Sequence, residues 1–292
     1  MQPSSLIASL PLNAADSDTL VVLATYNEVD SIADLLDGLL ALKTRCDVLI
    51  VDDGSTDGTL DVIAARAADE HRVGLVLRPH KLGVGSAHKL GWLHARSMGY
   101  SRIATLDADL SHDPADVQRL FHALDAGADV ALGSRFVAGG RLDYRGVRLF
   151  ISRTANAQSR LLLGLPIAEY TTSLRAAKLA RVPPGLVETI ESDGYAFFLT
   201  CIVRMARAGL TIIELPIHFR DRQHGESKIS KREILFGAAN LLKHAVFRRT
   251  FRESGSQDTH ILCMVCGRPY CLQNPSGTIR CLACSATFGA SR

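Results

Sequence analysis

The stretch RIATLDADLSHDP, residues 102–114, joins an apolar run, two carboxylates and a helix start. The apolar run predicts a buried strand that extends to Asp109, and alternation along an extended chain places Asp107 and Asp109 on the same side. Asp113 followed by Pro114 is typical of an N-cap and a first helical residue. We therefore expect a strand that ends by presenting two carboxylates to a cationic ligand, just before a helix begins.

The first half of the chain repeats this pattern of apolar runs and helix-period segments. Three earlier strands are predicted, at Thr19 to Thr25, Asp47 to Asp53 and Val73 to Leu77, with helices between them, the first of which should be capped by Asp30 or Ser31. The order βαβαβαβ implies an α/β fold, a mostly parallel sheet that binds ligands at the carboxyl ends of its strands. Polar segments at three of these ends should converge on one crevice: Tyr26 to Glu28, Asp52 to Ser55 and Asp107 to Asp109.

The second half is less regular but adds to the same domain. Helices are predicted from Arg148 to Leu163 and from Tyr195 to Ala208. Leu210 to Phe219 reads as a strand, and its Pro216 places it at a sheet edge or a strand end. A further long helix is predicted from Lys231 to Phe247.

With 292 residues, 47% of them hydrophobic, the chain can form one large α/β domain and a small appendage. No apolar stretch approaches the roughly 20 residues that span a bilayer, and the first residues lack the positive segment of a secretory signal. We therefore expect a cytoplasmic protein. The predicted division is an N-terminal extension at 1–18, the main domain at 19–251, a linker at 252–259 and a C-terminal module at 260–292.

Residues 220–252 carry nine Lys and Arg residues against three acidic residues, a net charge of +6 in a chain whose total is +3. Such a segment suits phosphates, an anionic membrane surface or nucleic acid, whereas a solvated helix face is the simpler interpretation.

Four of the seven cysteines have the spacing of a metal site. They are Cys263, Cys266, Cys281 and Cys284, two Cys-x-x-Cys pairs, and this tetrathiolate set predicts a small zinc ribbon because so short a module cannot fold on a hydrophobic core alone. Cys271 and His260 remain alternative ligands.

The segment KLGVGSAHKLG, Lys81 to Gly91, resembles a nucleotide-binding glycine loop. His88 stands where a dinucleotide fingerprint needs glycine, so a dinucleotide site is not expected. Either a tight turn before a helix or a close backbone approach to a sugar nucleotide explains the glycines.

Seven motifs follow one another along the chain: ATYNE (24–28), VDDGSTDGT (51–59), GVGSA (83–87), DADLSHDP (107–114), GSRF (133–136), ISRTAN (151–156) and DRQHGESK (221–228). In this order they resemble the dolichol- or polyprenol-phosphate mannosyltransferases, inverting enzymes of glycosyltransferase family 2. The resemblance runs from about Leu20 to Phe247 and implies a Rossmann-like glycosyltransferase A fold and a GDP-mannose donor.

The resemblance also implies roles for individual residues. The divalent metal, Mg²⁺ or Mn²⁺, would be held by Asp107, Asp109 and Ser111. The nucleoside would be contacted by Ala24, Tyr26, Glu28, Ile50 and Asp52, and Ala108 would also touch the donor. The diphosphate or the sugar would face Arg135, Arg222 and Lys228, and with Asp109 these form the catalytic set. The acceptor phosphate would meet Arg148 and Ser152.

Physical chemistry makes these roles reasonable. Departure of GDP builds negative charge, which a divalent ion with Arg and Lys side chains would neutralise. A phosphate monoester is largely dianionic at neutral pH, so it can attack the anomeric carbon without a protein base. We therefore expect no dedicated general base.

Three departures from the family pattern concern the acceptor half more than the donor half. Ala24 replaces a usual proline. Glu169, Ser173 and Leu174 alter a typical D-x-T-S-G-F-R motif. Phe198 and Thr200 stand where glutamine and glutamate are common.

The leading hypothesis is inverting, metal-dependent transfer of mannose from GDP-mannose to a polyprenyl or dolichyl phosphate at the cytosolic membrane face. The alternatives are a family 2 transferase with another donor such as UDP-glucose or another acceptor, and a non-catalytic zinc-ribbon binding protein. We expect no nucleic-acid partner. Peripheral membrane contact is predicted at Lys231 to Phe247 with Arg248, Arg249 and Arg252.

Overall fold

The computed structural model describes residues 9–10, 12, 17–144, 146–221, 239, 241–242, 244–245, 271–273, 279–281 and 287–288. The strands are Ser9–Leu10 (β1), Thr19–Thr25 (β2), Asp47–Asp52 (β3), Val73–Leu77 (β4), Arg102–Asp107 (β5), Val130–Ser134 (β6), Arg141–Leu142 (β7), Arg175–Lys178 (β8), Ile212–Pro216 (β9), His218–Phe219 (β10), Cys271–Gln273 (β11), Ile279–Cys281 (β12) and Thr287–Phe288 (β13). The helices are Val29–Leu40 (α1), Thr59–Asp69 (α2), Val84–Ser97 (α3), Pro114–Asp125 (α4), Gly146–Leu163 (α5) and Ala196–Arg207 (α6).

One eight-stranded sheet organises the main domain, in the order β1-β4-β3-β2-β5-β8-β6-β9. Its strands are parallel except β1, which pairs antiparallel with β4, and β8, which lies antiparallel between β5 and β6. The predicted mostly parallel α/β sheet is therefore confirmed.

Helices cover both faces of this sheet, and alternation along β2 shows why. Leu20 and Val22 pack into a core with residues of α3 and α6. Val21 and Leu23 point to the opposite core, which residues of α1 and α4 complete. Because both faces of β2 are buried, the strand reads as a continuous apolar run rather than as an alternating one.

Most predicted element positions are confirmed, with differences at their ends. The strand that opens at Arg102 ends at Asp107, two residues before the predicted end. Asp113 caps α4 as predicted, since its side chain accepts a hydrogen bond from the amide of Ala115 at 2.9 Å. The predicted strand at 210–219 is two strands, β9 and β10, and β9 with Pro216 lies at the sheet edge as expected.

The start of α1 is a correction, because the sequence suggests a cap at Asp30 or Ser31. The helix begins earlier, after Glu28, and no capping bond comes from Glu28's own side chain. A loop that is distant in sequence satisfies the exposed amides instead: Asp57 accepts from the amide of Val29 at 3.1 Å, and Thr59 accepts from that of Glu28 at 2.8 Å.

Near the C-terminus, β11, β12 and β13 form a separate three-stranded antiparallel sheet. The linker at 252–259 and three of the four predicted zinc ligands lie outside the described residues, as does most of the predicted helix from Lys231 to Phe247. Within the described part of the chain, no helix has the length and apolar character to cross a membrane.

A buried ion pair fixes the loop between β4 and α3. The guanidinium of Arg78, which is fully buried, pairs with Asp53 just beyond β3. Arg78 also donates to Ser86 Oγ at 2.7 Å and to the carbonyl of Gly83 at 3.2 Å. The pair therefore ties the end of β3 to the first turn of α3.

We expect Arg78→Met to destabilise the fold by about 3–5 kcal/mol, because it leaves the buried Asp53 carboxylate without its partner. Arg66→Met is the matched control: Arg66 pairs with Asp37 on the surface, at 2.6 Å, and such pairs contribute about 1 kcal/mol or less. Urea unfolding of both variants measures the difference, and equal losses would contradict this role for the buried pair.

Candidate active site

The carboxyl ends of β2, β3 and β5 lie side by side at one edge of the sheet. Thr25 is opposite Asp52 in register, and Ala24 is opposite Asp107. The polar segments that follow these strands are therefore brought together, as the sequence predicts for a parallel sheet.

The Asp107-Ala108-Asp109 segment leaves the strand in a tight turn. Asp107 is the last residue of β5, and Leu110 has a φ of 56°, a left-handed conformation that is unusual for a bulky residue. The amide of Ser111 donates to Asp109 Oδ1 at 3.0 Å. A turn, and not the predicted strand alternation, therefore places the second carboxylate.

The environment of Asp107 favours its charged form. His112 Nε2 lies 3.6 Å from Asp107 Oδ2, and Ser173 Oγ lies 3.3 Å from the same ring nitrogen. Burial alone would raise the pKa of Asp107, but His112 and the Ser173 hydroxyl outweigh it and lower that pKa to about 2. The side chain is still 28% exposed, so an anionic oxygen faces the crevice at neutral pH.

The oxygen donors at this turn fit a hard divalent cation such as Mg²⁺ or Mn²⁺. Asp107 and Asp109 supply carboxylates, and the buried hydroxyl of Ser111 has no hydrogen-bond partner among the described residues. The described part of the chain contains no group of three or more His, Cys, Asp or Glu side chains that could hold a metal. Phosphate oxygens of a substrate suit the remaining coordination positions, as is usual for Mg²⁺ sites.

Tyr26 and Glu28, two of the predicted nucleoside contacts, follow β2 at the same edge. Lys81 Nζ lies 4.8 Å from the centre of the Tyr26 ring, a cation–π contact that no sequence motif indicates. Asn27 between them has a φ of 55°, and its side chain accepts from the amide of Thr56 at 2.9 Å. The loops after β2 and β3 therefore hold each other in place.

The other predicted donor contacts lie deeper. Both carboxylate oxygens of Asp52 accept hydrogen bonds from neighbouring residues. Oδ2 accepts from the hydroxyls of Thr25 and Ser55, and Oδ1 accepts from the amide of Ser55. Ile50 is fully buried in the core, and Ala108 is 3% exposed. Asp52 thus stabilises the turn that shapes the crevice.

The glycines of the segment from Lys81 to Gly91 allow close packing inside the protein. A Cβ on Gly85 would lie 2.6 Å from Phe197 Cβ and 2.9 Å from the carbonyl oxygen of Gly194. The amide of Gly85 donates to the carbonyl of Asp193 at 2.7 Å. Of the two interpretations of this loop, the turn before a helix accounts for these contacts.

Arg135, at the end of β6, forms a buried bidentate pair with Glu169. Its Nε and Nη2 atoms each lie 2.7 Å from a Glu169 oxygen. Burial alone would raise the pKa of Glu169, but Arg135 outweighs it and holds that pKa below its ordinary value. The sequence marks Glu169 as a departure from the family pattern but does not indicate that it neutralises Arg135.

The predicted acceptor residues belong to α5. Ser152 Oγ accepts a hydrogen bond from the hydroxyl of Tyr144 at 3.1 Å, and Arg135 Nη1 donates to the same hydroxyl at 3.1 Å. Arg148 lies one turn before Ser152 on the helix. The structure therefore links Arg135 through Tyr144 to Ser152, one of the two predicted acceptor residues, whereas Arg222 and Lys228 lie outside the described residues.

An open groove of about 580 Å³ runs beside α5. It is lined by Phe136, Arg153, Asn156, Ala157, Arg160, Leu161, Gly164 and Ala168. Its length along the helix, from residue 153 to residue 164, is about 16 Å. The groove combines apolar surface with two arginines.

Comparison with known proteins gives a match to the family model described as glycosyl transferase family 2, over residues 20–180. The polyprenol monophosphomannose synthase of Mycolicibacterium smegmatis is 38% identical over 228 residues, 76% of this chain and 85% of that protein. The undecaprenyl-phosphate mannosyltransferase of Micrococcus luteus is 37% identical over 212 residues, 72% of this chain and 87% of that protein.

Among solved structures, the chain is similar to glucosyl-3-phosphoglycerate synthase from Mycobacterium tuberculosis in complex with Mn²⁺, UDP-glucose and phosphoglyceric acid. The TM-score is 0.58 at 22% identity, with 82% of each chain covered. This likeness establishes a shared fold.

Proposed function

Since the chain belongs to glycosyl transferase family 2, we propose that this glycosyltransferase moves mannose from GDP-mannose to a polyprenyl phosphate. The observation that carries the proposal is the carboxylate pair Asp107 and Asp109 at the end of β5, together with Ser152 on α5, which Tyr144 links to Arg135. The relatives named above act on polyprenyl phosphates and transfer mannose, and they match over most of their own length.

The donor diphosphate would lie at the turn that follows β5. Asp107, Asp109 and the Ser111 hydroxyl would hold Mg²⁺ or Mn²⁺ there, and the ion would neutralise charge on the departing GDP. Asp107 remains ionised in this setting because of His112 and Ser173. Arg222 and Lys228 would add positive charge on the other side of the diphosphate.

The reaction inverts the anomeric carbon in one displacement. An oxygen of the acceptor phosphate forms a bond to that carbon while the bond from the carbon to the β-phosphate oxygen breaks, and GDP leaves. The phosphate is already largely dianionic at pH 7, so no proton has to be removed from it. Arg148 and Ser152 would hold this phosphate, with Arg135 beside them.

Another nucleotide sugar is the alternative donor, and the Mycobacterium tuberculosis enzyme of the same fold binds UDP-glucose with Mn²⁺. The mannosyltransferase relatives are the more similar proteins and therefore favour mannose. A thermal-shift series of GDP- and UDP-sugars with Mn²⁺ separates the two, since a ligand at 100 times its Kd stabilises by about 2.7 kcal/mol.

A lipid acceptor requires contact between the protein and a membrane, and α5 has a surface that suits this contact. Four apolar side chains on this helix are exposed: Phe150, Ile151, Leu161 and Leu162. Phe150 and Leu161 are 71% and 82% exposed and lie on one stripe of the helix, with Arg153 and Arg160 beside it. An apolar stripe next to arginines suits an anionic membrane interface. The groove beside α5 would take the first part of the polyprenyl chain.

We further infer that the C-terminal module binds one structural Zn²⁺ through Cys263, Cys266, Cys281 and Cys284. Thiolates suit zinc, whereas the oxygen donors of the crevice suit Mg²⁺ or Mn²⁺. Cys281 ends β12 and is directly opposite Cys271 in the small antiparallel sheet. Cys271 is thus the alternative ligand nearest in register.

We expect purified protein to contain one zinc ion per chain, and Cys263→Ser/Cys281→Ser to lose it, because two of four thiolates are removed. Cys271→Ser is the matched control and should keep the metal. Elemental analysis after dialysis measures both. Zinc that is substoichiometric in the wild type, or retained in the double variant, would contradict the site.

Binding to vesicles that contain anionic lipid should weaken with salt and fall at least about tenfold in Phe150→Ser/Leu161→Ser. Each of these side chains gains about 1.5–3 kcal/mol when fully buried. Met98→Ser, which removes an exposed apolar side chain at the opposite edge of the sheet, is the control.

Co-sedimentation across a salt series is the measurement. The triple variant Arg248→Ala/Arg249→Ala/Arg252→Ala tests the basic segment in the same assay. Binding that is unaffected by salt and by both variants would exclude these surfaces.

Asp109→Asn should reduce mannosyl transfer about 10²- to 10³-fold, the cost of one comparable electrostatic contact in other enzymes. The amide oxygen can still accept from Ser111, so the turn should survive while the anionic metal ligand is lost. The assay is transfer from radiolabelled GDP-mannose to a polyprenyl phosphate, with and without Mn²⁺.

Asp125→Asn serves as the control for this substitution. Asp125 pairs with Arg102 on the surface, at the opposite edge of the sheet, and its loss should leave turnover within twofold. If the wild type requires a divalent cation and Asp109→Asn still has near-normal turnover, this carboxylate does not hold the metal.

A further inference from the structure

Tyr144 lies in the short connection between β7 and α5, and its side chain points inward. The residue is 4% exposed. Its hydroxyl oxygen accepts from Arg135 Nη1 at 3.1 Å, and the hydroxyl donates to Ser152 Oγ at 3.1 Å. One phenol therefore joins a side chain at the end of the sheet to a side chain on a helix.

Other contacts fix Arg135 rigidly around this bond. Its Nε and Nη2 atoms bind Glu169, and Nη2 also donates to Thr171 Oγ1 at 2.8 Å. A guanidinium has five N–H donors in a planar fork. Nη1 therefore retains one N–H that no described residue accepts, and it lies beside the Tyr144 hydroxyl.

Ser152 is less constrained than Arg135, because a serine hydroxyl rotates freely about its Cβ–Oγ bond. The Tyr144 hydroxyl supplies a proton to Ser152 Oγ. The Ser152 hydroxyl proton is then directed away from Tyr144, and is available to an anion. Packing orients the phenol itself, since its ring meets Phe219 edge to face with the centroids 5.8 Å apart.

We propose that Tyr144 is a positioning residue for the acceptor phosphate. It sets the direction of the Ser152 hydroxyl and holds the Arg135 guanidinium in line with it. The inference rests on the proposed function and adds to it a residue that none of the motifs names. The ligand class is a phosphate monoester at the end of an apolar chain.

The direct test is Tyr144→Phe, which keeps the ring and its contact with Phe219. We expect the KM for polyprenyl phosphate to rise about 2- to 12-fold, the range for one lost hydrogen bond of about 0.5–1.5 kcal/mol. The KM for GDP-mannose and the unfolding temperature should stay close to the wild type. Tyr170→Phe is the matched control, because its hydroxyl donates only weakly, to the Leu165 carbonyl at 3.4 Å.

A double-mutant cycle shows whether Tyr144 acts through Ser152. If it does, Ser152→Ala and Tyr144→Phe should raise the acceptor KM by similar factors, and the double variant should be little worse than Ser152→Ala alone. Factors that multiply in the double variant, or an acceptor KM unchanged in Tyr144→Phe, would overturn the inference. A rise in the donor KM equal to that for the acceptor would do the same, since it would indicate a general loss of structure.

The result also separates this inference from the proposed function. A wild-type protein that transfers no mannose to polyprenyl phosphate contradicts the proposed function itself. A wild-type protein that transfers mannose, combined with an unaffected Tyr144→Phe variant, contradicts only the positioning role.

Discussion

Several carboxylates are gathered at one edge of the sheet, and the fold has to compensate their charges individually. Asp52 accepts from the hydroxyls of Thr25 and Ser55, and Asp53 pairs with Arg78. Asp107 is held in its charged form by neighbours on two other segments. Because internal donors occupy the first two carboxylates, Asp107, whose side chain is 28% exposed, is the one of these three that faces the crevice.

The same requirement shapes the surroundings of Arg135, where the signs of the charges are exchanged. Arg135 would be an unpaired buried cation without Glu169, and a buried charge is stable only when it is paired and hydrogen-bonded. The pair as a unit has no net charge. Arg135 can therefore offer a directed N–H to an anion, but little net positive charge. The resemblance places Arg135 together with Arg222 and Lys228 at the diphosphate or the sugar, and of these three the structure describes only Arg135.

Local sequence was sufficient to predict the strands and helices whose spacing is regular. The ends of β2, β4 and α5 fall within two residues of the predicted positions, and the convergence of Asp107 with the Tyr26 segment follows from parallel topology. The sequence predicts the wrong cap for α1. The amides at the start of this helix donate to Asp57 and Thr59, which lie about 30 residues further along the chain than the helix start. The short β8 was not predicted, since its four residues become a strand through pairing with β5 and β6. The pairing of Arg135 with Glu169 spans 34 residues and leaves no periodic signal.

The departures from the family pattern are related to one another in the structure. Glu169 occupies the place of a usual aspartate, and its own amide is fixed by a carboxylate oxygen of Glu214 on β9 at 2.9 Å. Leu174 occupies the place of a usual phenylalanine and packs where a Cβ on Gly133 would meet it at 2.6 Å. Both changes lie around β6, the strand that carries Arg135. Because these side chains contact the same strand, a change in one constrains the others. The surroundings of Arg135 therefore differ from the family pattern as a packed unit, whereas Asp52 and Asp107 are the last residues of strands in the parallel sheet.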